Sequence, residues 1–212
     1  MRWPALLTAA AVIVPLATGP APASAAAAAA PPGIPTAVAA AAHLAELTVE
    51  AERNSGSYRR TLFPHWATVR GACNVREVLL ALEAESVTVN RATCAPTSGR
   101  WTSPYDGARH TDPAGLDIEH MVALKEAWES GAHAWTTARR KAFANSLLDG
   151  QLWVVTDHVN QAKGDQDPAT WRPPLAGFHC TYARAWIGVK RAWELTIDPQ
   201  EKTALAEMLD AC

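Results

Sequence analysis

Asp117, Glu119, His120, Asn160 and Lys163 are the residues of this chain whose types and spacing suit hydrolytic chemistry. In Leu116-Asp117-Ile118-Glu119-His120, apolar and acidic residues alternate, so Asp117 and Glu119 share one face of a short strand. His120 ends that run, where a strand gives way to the apolar helical stretch Met121 to Leu124. Neighbours in a strand point apart, which lets Glu119 face a cation while His120 addresses a water. A neutral imidazole, with an ordinary pKa of about 6.5, can take that water's proton. Glu119 and Asn160 are oxygen donors suited to a hard divalent ion such as magnesium. Asp117 is a candidate supporting or additional ligand. Lys163, one helical turn beyond Asn160, is a candidate phosphate contact.

Bringing these residues together takes two strands and a helix. Leu152-Trp153-Val154-Val155 reads as the second strand, and Asp157 to Asp165 as the helix carrying Asn160. Around them, Leu44 and Leu47 mark a first helix. Asn74 with Glu77 three residues on forms a capping signal for a helix through Leu82. Val87 to Val89 alternates like a strand, and Cys94 to Trp101 with the Tyr105-Asp106-Gly107 turn suggests a hairpin. Thr136 caps a helix through Phe143, and Tyr182, Trp186, Val189 and Trp193 line one face of a long helix. Asp198-Pro199 opens the last one. Arg139-Arg140-Lys141 and Lys190-Arg191 are candidate phosphate contacts or plain charged helix faces. The tryptophans are expected mainly in the core, with Trp101 and Trp171 as candidates for base stacking.

Asp117-Ile118-Glu119-His120, Phe143-Ala144-Asn145, Leu152 to Val155, Asn160 to Asp165 and Trp171-Arg172-Pro173-Pro174 together resemble a known family. It is the secreted actinobacterial branch of HNH endonucleases, related to the C-terminal domain of GmrSD-type restriction enzymes. The resemblance runs from about residue 58 to the end. It implies an α+β fold with a ββα-metal (HNH) core embedded in additional helices. It also implies a metal-dependent endonuclease that uses one divalent cation, foremost Mg²⁺, on nucleic acid, DNA ahead of RNA. By position, His120 matches the general base and Asn145 the middle asparagine of the catalytic set. Glu119, where aspartate is more usual, and Asn160 match the metal ligands. Ala123 stands where the family commonly has proline.

The totals bound this reading. Among 212 residues, 49% are hydrophobic, enough for one good core. Residues 1–25, with Arg2, an apolar run and Ala23-Ser24-Ala25, read as a secretory signal peptide. Residues 26–39 read as an Ala/Pro-rich flexible leader, and 40–212 as one nuclease domain. The product is expected to be secreted, extracellular, monomeric and free of membrane spans after cleavage. Four cysteines in an exported chain suit two disulfides. Of the three pairings, Cys73–Cys94 with Cys180–Cys212 keeps each bridge within one end of the domain. The formal net charge of −2 is not the balance of a nucleic-acid binder, so capture must rest on local basic patches. That charge gives weight to a rival, a disulfide-stapled cell-envelope binding module with a degenerate site. A glycoside hydrolase using Asp117 and Glu119 is a poorer fit, since same-face neighbours on one strand do not flank a sugar bond.

Overall fold

A computed structural model describes residues 30–212; the expected signal peptide and the first part of the expected leader lie outside them. In chain order come α1 (Ala37–Glu46), β1 (Thr68–Arg70), β2 (Cys73–Asn74) and α2 (Val75–Leu82). Then follow β3 (Ser86–Val89), β4 (Pro96–Thr102), β5 (Arg109–His110) and β6 (Leu116–His120). The chain closes with α3 (Leu124–Glu129), α4 (Thr137–Ala144), β7 (Leu152–Thr156), α5 (Asp157–Lys163), α6 (His179–Trp193) and α7 (Pro199–Leu209). The fold is mixed α and β. Strands β1 and β2 form one small sheet, β3-β4-β5 a second and β6-β7 a third.

The helix starts follow from capping. Asn74 accepts from the Glu77 amide while the Glu77 carboxylate accepts from the Asn74 amide, closing the box at α2. Asp198 accepts from the amides of Gln200 and Glu201, with Pro199 at the first turn of α7. The leader ends earlier than residue 39. Thr36 caps α1, the Pro35 carbonyl accepts from Arg184 Nε at 2.7 Å, and Ile34 packs against the core. Alanine-rich composition reads as linker, yet alanine is also the best helix former.

Strands β6 and β7 pair antiparallel without a bulge, from Leu116 opposite Thr156 to His120 opposite Leu152. Alternation then sorts the side chains. Leu116, Ile118, Leu152 and Val154 join α2 and Trp101 in one apolar cluster. Trp153 and Val155 face the larger cluster built on Tyr182, Trp186 and Val189 of α6. Every residue of β7 is buried, which explains its unbroken apolar run.

The outer edge of β7 is covered by side chains. Glu83 Oε2 accepts from the Val154 amide at 2.8 Å, and Ser103 Oγ from the Thr156 amide at 3.1 Å. Glu83 Oε1 is buried with no hydrogen-bond partner, and burial pushes this carboxyl up to about 8. The folded state therefore holds a proton that the unfolded chain loses near pH 4.5. The stabilisation is complete below that pH and is lost as pH rises through 8, by on the order of 5 kcal/mol. Thermal melts from pH 5 to 9 should show this decline, and Glu83→Gln should flatten it. Equal slopes in both proteins would remove Glu83 from the account.

Both expected disulfides are present. Cys73–Cys94 ties β2 to the turn before β4, and Cys180–Cys212 ties α6 to the C-terminus, with Cα separations of 5.0 and 5.1 Å. They close loops of 21 and 32 residues, each worth about 3 to 4 kcal/mol on chain-entropy grounds. Replacing Cys180 and Cys212 by alanine should lower the urea unfolding free energy by about 3 kcal/mol. An unchanged midpoint would show that the α6 bridge constrains little.

Two expected phosphate contacts are interior groups. Lys190 is fully buried, donating to Glu126 Oε1 and Glu201 Oε2 at 2.6 Å each, and to Ser130 and Thr196. Arg140 is buried as well, its guanidinium spent on the carbonyls of Leu62 and Trp135. Helical spacing turns both positions inward, where three elements converge on each cation. Arg139, alongside, pairs with Glu194 and lies over Trp135.

Candidate active site

The site gathers where β6 ends, β7 begins and α5 crosses the hairpin. His120, the last residue of β6, is buried. Its Nε2 lies 3.0 Å from the Ala144 carbonyl, which can only accept. Nε2 therefore carries the hydrogen, and Nδ1 keeps its lone pair. Burial, with smaller contributions from the charges of Arg60, His65 and Lys163, pushes the imidazole down to about 3 against the opposing Ala144 bond. The ring is neutral at neutral pH. Trp66 lies across it, 5.8 Å between centroids and tilted by 31°.

Glu119 points to the other side of the strand, as alternation requires. Its carboxylate is buried, with an ion pair to the Lys163 ammonium and a 3.4 Å hydrogen bond from the Tyr105 hydroxyl, both at Oε1. Burial raises this carboxyl, and Lys163 opposes the rise. Lys163 itself is fully buried, donates to the His120 carbonyl at 3.4 Å, and lies 5.4 Å from the Trp186 ring centre. It is a structural partner of Glu119 and not an exposed phosphate contact. The three-residue step from Asn160 to Lys163 put both on the helix face turned to the hairpin.

Asn160 donates from Nδ2 to Asp117 Oδ2 at 3.2 Å, which orients its amide oxygen away from that pair. Asp117 thus touches Asn160 and supports it. Asn145 stands just past α4 and does not contact His120. It accepts from the Ala67 amide at 2.8 Å and donates to the Pro64 and Lys141 carbonyls at 2.8 and 2.7 Å. It therefore pins the 64–67 loop beside Ala144, whose carbonyl holds the histidine. These bonds fit a residue that orients the histidine's loop.

A cavity of about 190 Å³ joins Glu119, His120 and Asn160 to Arg60, Gln161 and Asp165. Glu119 Oε2 lies outside the Lys163–Tyr105 pairing, and Asn160 Oδ1 outside the Asp117 one. An all-oxygen donor pair at a common cavity fits a hard divalent cation. A second acidic group, Glu52, Glu126, Glu129, Asp167 and Asp198, has carboxylate oxygens within 4.8 Å in two triads. Three of its members already serve elsewhere. Glu126 holds Lys190 and Ser130, Asp198 caps α7, and Asp167 caps the turn at Thr170. The sequence reading assigned nothing to Arg60, Trp66 or Tyr105. Only the mixed aromatic and basic character of residues 58–66 pointed there.

Paired strands, crossing helix, buried histidine and two disulfides define a mixed α/β domain. The chain belongs to the family described as GmrSD restriction endonucleases, C-terminal domain, which it matches over residues 71–208. It is 46% identical over 212 residues, the full length of both chains, to an uncharacterized secreted protein of Arthroderma benhamiae (strain ATCC MYA-4681 / CBS 112371). That relative is fungal, whereas the resemblance had pointed to an actinobacterial branch. No solved structure matches the chain. Its disulfides suit the same oxidising surroundings, and the protein is a secreted one. Among the described residues no helix is long and apolar enough to cross a membrane.

Proposed function

We propose that the protein is a secreted, metal-dependent endonuclease with an HNH-type ββα core, acting as a monomer on nucleic acid, DNA ahead of RNA. The observation that carries this reading is the fixed tautomer of His120, which leaves Nδ1 its lone pair in a residue that lines one cavity with Glu119 and Asn160. His120 accepts the proton of the attacking water at Nδ1, and the Ala144 carbonyl steadies the imidazolium through Nε2–H. Asn145 holds the loop that covers the ring, and Asp117 holds Asn160. Glu119 and Asn160 would hold the cation, which would supply positive charge to offset that developing on the phosphodiester. Residues 33–212 act as one domain, since Gly33 to Pro35 pack with α6 and the 148–149 backbone.

The test is digestion of supercoiled plasmid and of RNA by purified mature protein, with magnesium or manganese and with chelator. Cleavage that the chelator stops supports the reading. Absence of cleavage with either metal, or cleavage indifferent to the chelator, refutes it. One observation favours the rival of a binding module with a degenerate site: the Lys163 ammonium already neutralises the presumed ligand Glu119. Calorimetric titration with manganese separates the two, because a degenerate site takes up no cation.

A further inference from the structure

The geometry points to the segment from Arg60 to Trp66 as the substrate clamp of this site, with Arg60 on a backbone phosphate and Trp66 stacked on an adjoining base. The inference rests on the nuclease reading above, and it concerns residues that precede the family match at 71–208. A chain of net charge −2 needs a local grip on phosphate. Of the basic patches expected from sequence, Arg140 and Lys190 are spent in the interior and Arg139 and Arg191 on surface ion pairs, which leaves Lys141, outside the cavity lining. Arg60 is different. It is exposed, lines the cavity with His120, Glu119 and Asn160, and among the described residues forms no ion pair. By contrast, Arg53, Arg100, Arg139, Arg172 and Arg191 each face a carboxylate. A guanidinium fork that neighbours the Tyr58 hydroxyl but no paired carboxylate, beside a general base, matches the planar, two-oxygen face of a phosphodiester.

Trp66 adds an independent observation. Its φ of 57° lies in the left-handed region, which a bulky residue adopts only where its surroundings enforce it. The enforcement is visible on both sides. Asn145 fixes Pro64 and Ala67, Arg140 fixes Leu62, and the Ala67 carbonyl accepts from the Val75 amide. The turn swings a partly exposed indole across His120, with His65 edge-on at 5.4 Å. Part of the indole packs against the apolar cluster of α2, β6 and β7, and the remainder stays accessible to solvent. The two expected stackers are less suited: Trp101 is buried with its Nε1 bound to the Leu80 carbonyl, and Trp171 packs on Tyr105 and Tyr182. An aromatic face beside a phosphate grip is how single-stranded or frayed nucleic acid is held without sequence readout.

The experiment uses the full mature chain carrying His120→Ala, so that a fluorescein-labelled oligonucleotide is bound but not cut. Anisotropy is read from 50 to 300 mM salt. Arg60→Ala should weaken binding about tenfold and reduce the slope of log affinity against log salt by about one. Trp66→Ala should weaken binding about tenfold with the slope unchanged, and Trp66→Phe should restore most of it. A purely structural role would leave the salt slope of Arg60→Ala unchanged and would let Trp66→Leu restore binding as well as Trp66→Phe does. Should Trp66→Ala melt early, Trp66→Leu, apolar but without a π face, replaces it. Affinity and slope unaltered by Arg60→Ala and by the tryptophan variants, in a chain whose parent cuts nucleic acid, would overturn the clamp alone. A parent that neither binds nor cuts overturns the nuclease reading, and the clamp with it.

Discussion

His120→Ala should fold, bind divalent cations as the parent does, and cleave nucleic acid on the order of 10² to 10⁴ times more slowly. The side chain sits on the opposite face of β6 from Glu119, so its loss removes a proton acceptor and leaves the oxygen donors in place. Glu119→Ala and Asn160→Ala should behave differently. Each deletes a cation donor, so cation affinity should fall and excess metal should restore part of the rate. Glu119→Ala, which also leaves the buried Lys163 unpaired, should melt earlier than the other two variants. Cleavage measured against metal concentration for the three variants, beside calorimetric metal binding, makes the comparison. Loss of cation binding in His120→Ala with retention in Glu119→Ala would exchange the roles assigned to them. Parent-like cleavage by all three would remove the site from this part of the chain.

Lys190→Met should lower the melting temperature by about 10 °C, the largest stability effect expected of any single substitution. Lys190 is fully buried between Glu126 of α3 and Glu201 of α7, and its ammonium is pushed above its ordinary value by those two carboxylates. Removing the cation leaves two acids facing one another in the interior. Breaking a buried pair in this way costs about 3 to 5 kcal/mol. In a domain of this size each kcal/mol lowers the midpoint by about 2 to 4 °C. Glu126 is held below the ordinary carboxylate range, mainly by Lys190 acting against burial, while Glu201 is driven up to about 8 by burial. The deficit should therefore be smallest in acid, where both acids can take a proton. Adding Glu126→Gln and Glu201→Gln should recover most of the lost stability. A shift under 3 °C for Lys190→Met would mean that water reaches the cluster.

The legible features were those written in neighbouring residues. Alternation from Leu116 to Glu119 gave β6, the Asn74–Glu77 and Asp198-Pro199 signals gave two helix starts, and cysteine parity gave the bridges. Partners far apart in the chain were not legible. The motif marks Asn145, but not the partners of its bonds, which run to Pro64 and Ala67, 81 and 78 positions away. Lys163 and Lys190 looked like surface cations because lysine usually is one. Only the folded chain shows that each has buried carboxylate partners. Trp66 was invisible for another reason: nothing in a sequence announces a positive φ at a tryptophan.

The covered edge of β7 has a consequence for life outside the cell. A two-stranded sheet with an open side would present a row of bare amides, and a buried strand as apolar as Leu152 to Val155 is prone to recruit a second copy through them. Here the Val154 and Thr156 amides are already taken by Glu83 and Ser103, which belong to no strand that could be displaced in register. A passing chain finds neither free donors nor a straight ladder to extend. The hairpin that carries the histidine is thereby shielded against cross-β assembly by two polar side chains, in an environment where a protein must stay soluble without cytosolic chaperones.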